Sequence, residues 1–436
     1  MILATRSSCC HLLSVSLMKN VLPQHIEHGV CRPALANSLL RVSEQCTRCQ
    51  RCVFECAFLK QYGDPKTIAD SFDPDNRFFL QLPHECNLCS HCTAVCSHGV
   101  DPKALFLEIR RESVVRGVGE LPEHNGLRRY EQVGTSQRYS WYGLPEGCDT
   151  VFFPGCSLTG SRPETTLKSY ELLQSMIPSV GIVLDCCTKP SHDLGDEDYF
   201  QAMFGEMTAF LREHGVKQVL TACPNCYEVF KDYGEGLTTR SVYEVLNGRQ
   251  CPGGVKLVGS VIVHDPCVAR FDTTSQQAVR DMLETLGLKV EETEYSREKT
   301  LCCGKGGGAG YVAPDKTRIW ATKLLGGVHN RPLVSYCASC TKVFAKETPT
   351  HHLLDLLFAP EGALAGKARE TRTPMTYLNR LKVKKQLRRT LSTAVTRERT
   401  FHARELKTKS KLGKQLLIGL LPVALGLLLL SRGIFS

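Results

Sequence analysis

Most of the chain lacks an excess of positive charge. Residues 1–366 contain 37 Lys and Arg against 41 Asp and Glu, a balance of −4, whereas residues 367–436 contain 17 Lys and Arg against 3 Asp and Glu, a balance of +14. A protein that binds nucleic acid through its fold carries a basic patch on that fold. The overall charge of +10 therefore does not predict a nucleic-acid partner.

The N-terminal extension, residues 1–39, also lacks the marks of a signal peptide. Its first 20 residues contain one Arg and a short apolar patch but no small-residue cleavage site after an apolar region of the usual length. We therefore expect the bulk of the protein to lie in the reducing cytoplasm, where thiols stay free to bind metal.

Cysteine, in contrast, is abundant, with 23 in 436 residues. Disulfide-dense scaffolds are short and secreted, whereas a chain of this length holds two or three domains. The cysteines are therefore expected to be metal ligands, redox groups or both.

Two runs share the spacing C-x2-C-x2-C-x3-C. They are Cys46, Cys49, Cys52 and Cys56, and, after 29 intervening residues, Cys86, Cys89, Cys92 and Cys96. Zinc sites usually space their ligands as separated pairs, whereas in two-cluster ferredoxins the fourth cysteine of each run binds the other [4Fe–4S] cubane. The pattern predicts two cubanes, one held by Cys46, Cys49, Cys52 and Cys96 and the other by Cys86, Cys89, Cys92 and Cys56.

Neither run ends in the proline of the small bacterial ferredoxins, because Ala57 and Ser97 stand there. This departure favours a helical arrangement in which each fourth cysteine opens a helix. Residues 40–120 resemble the helical dicluster ferredoxin domain of fumarate reductase iron–sulfur subunits and of heterodisulfide reductase.

A five-cysteine pattern then occurs twice. In the first copy 29 residues separate the single cysteine from the Cys-Cys pair and 35 separate that pair from C-x2-C; in the second copy the numbers are 34 and 33. The copies are Cys156, Cys186, Cys187, Cys223 and Cys226, and Cys267, Cys302, Cys303, Cys337 and Cys340.

Short apolar runs of strand type precede most of these cysteines, and helical patterns lie between the runs. The predicted strands are Thr150–Phe153, Ile182–Leu184, Gln218–Thr221, Ser260–Val263 and Leu333–Tyr336. Alternating strands and helices indicate parallel α/β units, whose ligands gather at the carboxyl ends of the strands. The glycine-rich stretch Gly304–Gly310 lacks the full dinucleotide-binding pattern, and we expect it to let the backbone pass close to a cluster.

The doubled motif resembles the CCG domain, the cysteine-rich domain of heterodisulfide reductase, and the resemblance extends over residues 40–360. The domain order is also similar to that of the iron–sulfur subunits of glycolate, lactate and glycerol-3-phosphate dehydrogenases. The resemblance implies that each five-cysteine set holds a noncubane [4Fe–4S] cluster at which a disulfide is bound and cleaved. Thr188 replaces the glycine of Cys-Cys-Gly in the first copy, and it is expected to keep a negative φ there.

Five cysteines fit no motif and are interpreted as ordinary small residues: Cys9, Cys10, Cys31, Cys148 and Cys251. His192, His264 and Asp265 could move protons, but each is more simply interpreted as a hydrogen-bonded structural residue.

The C-terminal region carries the positive charge. Residues 415–431 contain no charged residue, and as a helix they would span roughly 26 Å. The sequence predicts a single transmembrane anchor at 415–432, with a basic membrane-proximal segment at 367–414 that includes an amphipathic helix on the lipid surface. A buried terminal helix and a solvated basic linker are the alternatives.

The predicted fold class is thus α/β with an N-terminal all-α part. It comprises a helical dicluster ferredoxin domain (40–120), two CCG repeats (148–248 and 255–360), the basic segment and the transmembrane helix. The predicted function is disulfide reduction at the cytoplasmic membrane, with a b-type cytochrome or quinone-linked partner. Two alternatives remain: an electron relay between a flavoprotein dehydrogenase and quinone, and a membrane-tethered redox sensor.

Overall fold

The computed structural model describes residues 29–249, 256–328, 331–365 and 370–400. Its N-terminal part is helical. The α-helices are Pro33–Gln45, Arg51–Glu55, Ala57–Tyr62, Pro65–Asp70, Arg77–Gln81, His91–Ala94, Pro102–Val115 and Asn125–Gly134, with 3-10 turns at Leu82–Glu85 and Pro122–His124. Helix Pro102–Val115 starts at a proline, and the Asp101 carboxylate accepts hydrogen bonds from the next two free N–H groups. Its buried residues Leu105, Phe106 and Ile109 belong to the core of this part.

The two four-cysteine runs have the same backbone. The residues on either side of the second cysteine in each run, Arg48 and Gln50 or Leu88 and Ser90, all have a left-handed φ between 49° and 65°. Cys56 opens helix Ala57–Tyr62, as predicted. The same prediction is wrong for Cys96, which is followed by a turn before the next helix begins at Pro102.

The remaining described residues form two α/β units. The ten strands are β1 Trp141–Leu144, β2 Thr150–Phe153, β3 Gly181–Leu184, β4 Gln218–Thr221, β5 Thr238–Ser241, β6 Gly259–His264, β7 Leu288–Glu291, β8 Leu333–Ser335, β9 Thr350–His352 and β10 Val395–Arg397. The α-helices are Cys156–Ser161, Pro163–Met176, Lys189–Leu194, Glu197–Glu213, Pro224–Tyr233, Val242–Leu246, Thr273–Thr285, Ala309–Val312, Pro314–Gly326, Ala338–Phe344, Leu353–Phe358, Pro360–Leu364 and Met375–Thr390. Three 3-10 turns lie at Cys267–Ala269, Arg297–Lys299 and Gly306–Gly308.

The two units repeat one topology. The parallel strands of the first sheet are ordered β3-β2-β4-β5, and those of the second are ordered β7-β6-β8-β9. In each unit the first strand along the chain lies between the second and the third, as the duplicated cysteine pattern suggests. The first sheet is extended by β1 and β10, which pair antiparallel to it.

The C-terminal basic segment contributes to the first unit. Helix Met375–Thr390 buries Val383 and Leu387 in the same apolar core as Leu158 and Tyr170. Strand β10 then completes the first sheet. Because these apolar side chains are already packed against protein, this helix does not present them to a lipid surface as the sequence suggested.

The predicted fold class needs one correction. Within the described ranges, none of the helices combines the length and apolar character needed to cross a bilayer. The segment 415–432, for which a transmembrane helix was predicted, lies outside the described residues. The fold supported is therefore a helical cysteine-rich part followed by two α/β repeats, without a transmembrane helix.

Candidate metal centres

Four thiols from both runs line one cavity in the helical part. Cys86, Cys89 and Cys92 of the second run and Cys56 of the first surround an empty volume of about 530 Å³. Burial raises the pKa of Cys56, Cys86 and Cys89 to about 12 each. Thiolates so costly to bury need a cation, and a cationic iron–sulfur core fits this donor set.

A second cavity of about 370 Å³ lies beside the first. It is lined by Cys46, Cys49 and Cys52 of the first run and by Cys92 and Cys96 of the second. Burial raises the pKa of Cys52 to about 11, and the charges of Cys46, Cys49 and Cys96 raise it further. The fourth cysteine of each run thus lies with the first three of the other, which is the crossed grouping predicted for two cubanes.

The left-handed residues explain how each loop turns its cysteines inward. A non-glycine residue pays on the order of 1 kcal/mol for this conformation. Two such residues flank Cys49 and two flank Cys89, so the same strain is present twice. Among the described residues, no three or more His, Cys, Asp or Glu side chains are grouped to hold a metal ion. The thiols instead surround open space, as a polynuclear cluster requires.

The five cysteines of the second repeat converge. Cys267 Sγ lies 3.7 Å from Cys302 Sγ, and Cys340 Sγ lies 3.2 Å from Cys303 Sγ. The thiol of Cys337 is also within hydrogen-bond reach of Cys340. Hydrogen bonds from Cys302 and Cys340 lower the pKa of Cys303 to about 6, so this buried set already stabilises one thiolate.

The five cysteines of the first repeat also form one connected group. A hydrogen bond with Cys186 lowers the pKa of Cys156 to about 6, and Arg380 and Tyr130 lower it further. Cys226 lies within hydrogen-bond reach of both Cys187 and Cys223. The cysteines of both sets follow strands of their sheets at the carboxyl ends, with Cys302 and Cys303 set further from β7 by a ten-residue connection.

Thr188 departs from the predicted backbone. Its φ is +53°, in the left-handed region, and not negative as expected. The side chain is fully buried, and its hydroxyl has no hydrogen-bond partner among the described residues. The first repeat thus keeps the turn of Cys-Cys-Gly, with a buried hydroxyl added next to Cys187.

The two sets meet at Asn225. The Asn225 side-chain amide lies 3.9 Å from Cys223 Sγ of the first set and 3.9 Å from Cys337 Sγ of the second. Helix Pro224–Tyr233 carries this residue between the two repeats. The first and second sets are therefore neighbours.

The second set also lies against the cavity of Cys86 and Cys89. Cys89 shares a buried cluster with Cys267 and Cys302. Arg270 is buried and donates to the Cys89 carbonyl at 3.1 Å as well as to the carbonyls of Glu298 and Thr300.

The glycine-rich stretch provides a second contact between these parts. A Cβ at Gly306 would lie 2.4 Å from the Asn87 carbonyl oxygen and 3.4 Å from Cys302 Sγ, and one at Gly307 would lie 2.9 Å from the Cys86 carbonyl oxygen. The expected close approach is therefore to the loop that carries Cys86 and Cys89.

Arg110 joins three parts of the chain. Its buried guanidinium donates to the carbonyls of Cys86 at 2.6 Å, Asp193 at 2.6 Å and Gly307 at 2.5 Å. The sequence analysis did not identify Arg110, Arg270, Asn225 or Arg380. Nothing in the local pattern marks a buried arginine, because its partners are backbone carbonyls distant in sequence.

The proposed proton carriers have structural surroundings. Asp265 makes a bidentate ion pair with Arg280 at 2.9 and 2.8 Å. His192 lies between Asp193 at 2.9 Å and Tyr233 at 2.8 Å. Burial lowers the pKa of His264 to about 4, so its ring is neutral near pH 7.

The remaining cysteines lie outside these groups. Cys31 is half-buried and Cys148 is buried, and both are free thiols. Cys148 hydrogen-bonds the Thr150 carbonyl at 3.3 Å. Cys9, Cys10 and Cys251 lie outside the described residues.

Comparisons with known proteins agree with these two kinds of centre. Residues 150–231 and 261–345 match the cysteine-rich domain family CCG, and residues 45–101 match the 4Fe-4S dicluster domain family. One component of the dihydromethanophenazine:CoB–CoM heterodisulfide reductase of Methanosarcina barkeri is 24% identical over 263 residues, which are 53% of this chain and 64% of that protein.

Two further relatives belong to other systems. The EtfAB:quinone oxidoreductase of Syntrophomonas wolfei is 24% identical over 264 residues, 51% of this chain and 36% of that protein. A probable membrane-anchored ferredoxin of Chromohalobacter salexigens is 25% identical over 300 residues, 61% of this chain and 45% of that protein. With its thiols gathered as described, the chain contains two CCG cysteine-rich domains and a 4Fe-4S dicluster domain, and its homologues are components of heterodisulfide reductases and of other iron–sulfur oxidoreductases.

Proposed function

We propose that this chain is the disulfide-reducing, electron-transferring component of a heterodisulfide reductase-like complex. Its substrate would be a small-molecule disulfide, which takes up two electrons and two protons and leaves as two thiols. A b-type cytochrome or a quinone-linked subunit would supply the electrons.

The ligands follow the thiol groups. Cys46, Cys49, Cys52 and Cys96 would hold one cubane, and Cys86, Cys89, Cys92 and Cys56 the other. Each five-cysteine set would hold a noncubane [4Fe–4S] cluster. When bound, these groups supply one-electron transfer and, at the CCG sets, Lewis-acidic iron for a departing thiolate.

One observation carries the proposal: the four thiol groups form an unbroken series. The two helical cavities share Cys92 as a lining residue, and Cys89 lies in one buried cluster with Cys267 and Cys302. Asn225 then lies 3.9 Å from a sulfur of each CCG set. Electrons that enter beside the exposed Cys49 would have a path to the place where both CCG sets are accessible to the two sulfurs of one disulfide.

The protein residues have defined tasks in this scheme. Asn225 would orient a disulfide between the sets, because its amide faces both. Arg270 and Arg110 hold the Cys86–Cys89 loop against the second repeat through its carbonyls. The neutral His264 cannot release a proton near pH 7, so both protons of the products would come from solvent.

Substitution of Cys302 by alanine tests the proposal. We expect Cys302→Ala to abolish disulfide reduction and the electron paramagnetic resonance signal of the second set, while the cubane spectrum persists. The matched control is Cys31→Ser, which changes a free thiol outside all four groups and should retain both. Unchanged turnover in Cys302→Ala would contradict the assignment.

A second candidate is an electron relay, favoured by the similarity to EtfAB:quinone oxidoreductase. The chain would then pass electrons from a flavoprotein dehydrogenase to quinone without chemistry at the CCG sets. Spectra of the purified chain with and without added thiol separate the two candidates. A thiol-induced change in the CCG signals supports disulfide chemistry, whereas reoxidation by a quinone analogue alone supports the relay.

A further inference from the structure

The two CCG sets differ in the charge buried beside them. The first set lies near Arg380, which belongs to helix Met375–Thr390 of the basic C-terminal segment. Only 4% of Arg380 is exposed. A cation is costly to bury unless an anion or several acceptors surround it, so the acceptors of Arg380 need to be identified.

Packing fixes the position of this arginine. Helix Met375–Thr390 crosses helix Cys156–Ser161 at Gly160, where a Cβ would lie 3.2 Å from the Thr376 carbonyl oxygen. Asn379 Nδ2 donates to the Gly160 carbonyl at 2.9 Å. The guanidinium of Arg380 then lies 5.0 Å from the ring centre of Tyr139.

Half of the guanidinium has no acceptor. Arg380 Nη2 donates to the Gly134 carbonyl at 3.1 Å, but Nη1 has no hydrogen-bond partner among the described residues. A Cβ at Gly134 would lie 3.2 Å from this Nη1 and 3.7 Å from Cys186 Cβ. The free N–H groups are therefore beside the Cys-Cys pair of the first set.

Thr188 supplies a second free donor next to the same pair. Its hydroxyl is buried and has no partner in the described part of the chain. Buried donors are rarely left without an acceptor. Two of them at one thiol set indicate an anionic acceptor that belongs there, and the sulfurs of a bound cluster would be such acceptors.

The second set lacks this arrangement. Its buried arginine, Arg270, donates to three backbone carbonyls, those of Cys89, Glu298 and Thr300. The position that corresponds to Thr188 is Gly304, which has no side chain and gives only its backbone N–H to Cys302 Sγ at 3.3 Å.

We propose that Arg380 and Thr188 donate to the cluster of the first CCG set and raise its reduction potential above that of the second. The inference rests on the proposed function, since it requires a cluster at each set. A reduced cluster carries one more negative charge than the oxidised one, and a buried cation with free N–H groups stabilises the reduced form. One electron would thus pass from the second set to the first.

The test is a redox titration of the full-length chain, monitored by electron paramagnetic resonance. Cys302→Ala serves as the parent, because it removes the second-set signal and leaves the first set to be measured. We expect Arg380→Gln to move the first-set midpoint potential to a more negative value and Arg380→Lys to restore part of the shift. Thr188→Gly, which suits the left-handed φ, should give a smaller shift of the same sign.

Lys385→Gln is the matched control, since it removes an exposed positive charge from the same helix. Equal midpoint potentials in the parent and Arg380→Gln, with iron content retained, would overturn the inference. If Arg380→Gln loses iron, unchanged potentials in both Arg380→Lys and Thr188→Gly would overturn it. Iron and sulfide contents of the wild-type chain too low for a first-set cluster would overturn the proposed function as well.

Discussion

Single residues decide how closely the thiol groups approach each other. The contact between the second CCG repeat and the Cys86–Cys89 loop depends on Gly306, because any side chain there would meet the Asn87 carbonyl. The left-handed residues that flank Cys49 and Cys89 act at the same scale, since they turn the neighbouring thiols into one cavity. At this scale, the arrangement of the site depends on backbone conformations as well as on cysteine identity.

Gly306→Ala tests the close approach. The new methyl group would lie 2.4 Å from Asn87 O, so we expect a loss of about 1–3 kcal/mol of stability, as for other overpacked sites. Thermal unfolding of the anaerobically purified chain measures it. Gly326→Ala is the control, because a Cβ there meets no atom within 4 Å; equal unfolding midpoints for both variants would contradict the close contact.

At the scale of elements, the C-terminal helix has a different role from the one its sequence suggests. Leu378 and Leu387 have the same residue type and both lie among cations, but Leu378 is 46% exposed whereas Leu387 is 3% exposed. The buried side of helix Met375–Thr390 packs on the first repeat and brings Arg380 to its cysteines. This element is thus part of the first site.

Leucine truncations distinguish packing from lipid contact. Leu387→Ala should cost about 2–5 kcal/mol, as expected for a buried leucine, whereas Leu378→Ala should change stability by less than about 0.5 kcal/mol. Urea unfolding in the absence of lipid measures both. Small and equal effects would favour a helix that packs only on a membrane surface.

At the scale of the whole molecule, Arg110 joins the helical part to both repeats. Its guanidinium serves carbonyls of residues that are 24, 83 and 197 positions distant in sequence. Removal of this cation would leave several buried carbonyls without donors. The relative positions of the thiol groups therefore depend on one side chain.

Arg110→Leu should lower stability by about 3 kcal/mol or more, because each buried carbonyl left without a donor costs roughly 1–3 kcal/mol. It should also separate the unfolding of the helical part from that of the α/β repeats. Urea titrations followed by cluster absorbance and by circular dichroism measure both effects. The exposed Arg41→Leu is the control; coincident transitions at the parental midpoint in Arg110→Leu would refute the role.

Several elements were predictable because their cause is local. Strands β2 and β4 begin and end where the apolar runs do, and the other three predicted strands differ by one residue at an end. Repeated spacing likewise indicated the duplicated units. The prediction failed at Cys96, because a turn and the Asp101 cap postpone the next helix, and at Thr188, because the turn requires a left-handed φ.

The sequence by itself determined which cysteines form groups, how many groups there are and that two parallel α/β units follow a helical part. These features follow from spacing and periodicity, which act over short stretches of chain. Only the tertiary structure decided the order of the groups, the meeting of the two CCG sets at Asn225 and the burial of Arg380 beside one of them. The physical reason is that buried arginines, backbone carbonyls and close glycine contacts connect residues far apart in sequence, and folding alone brings them together.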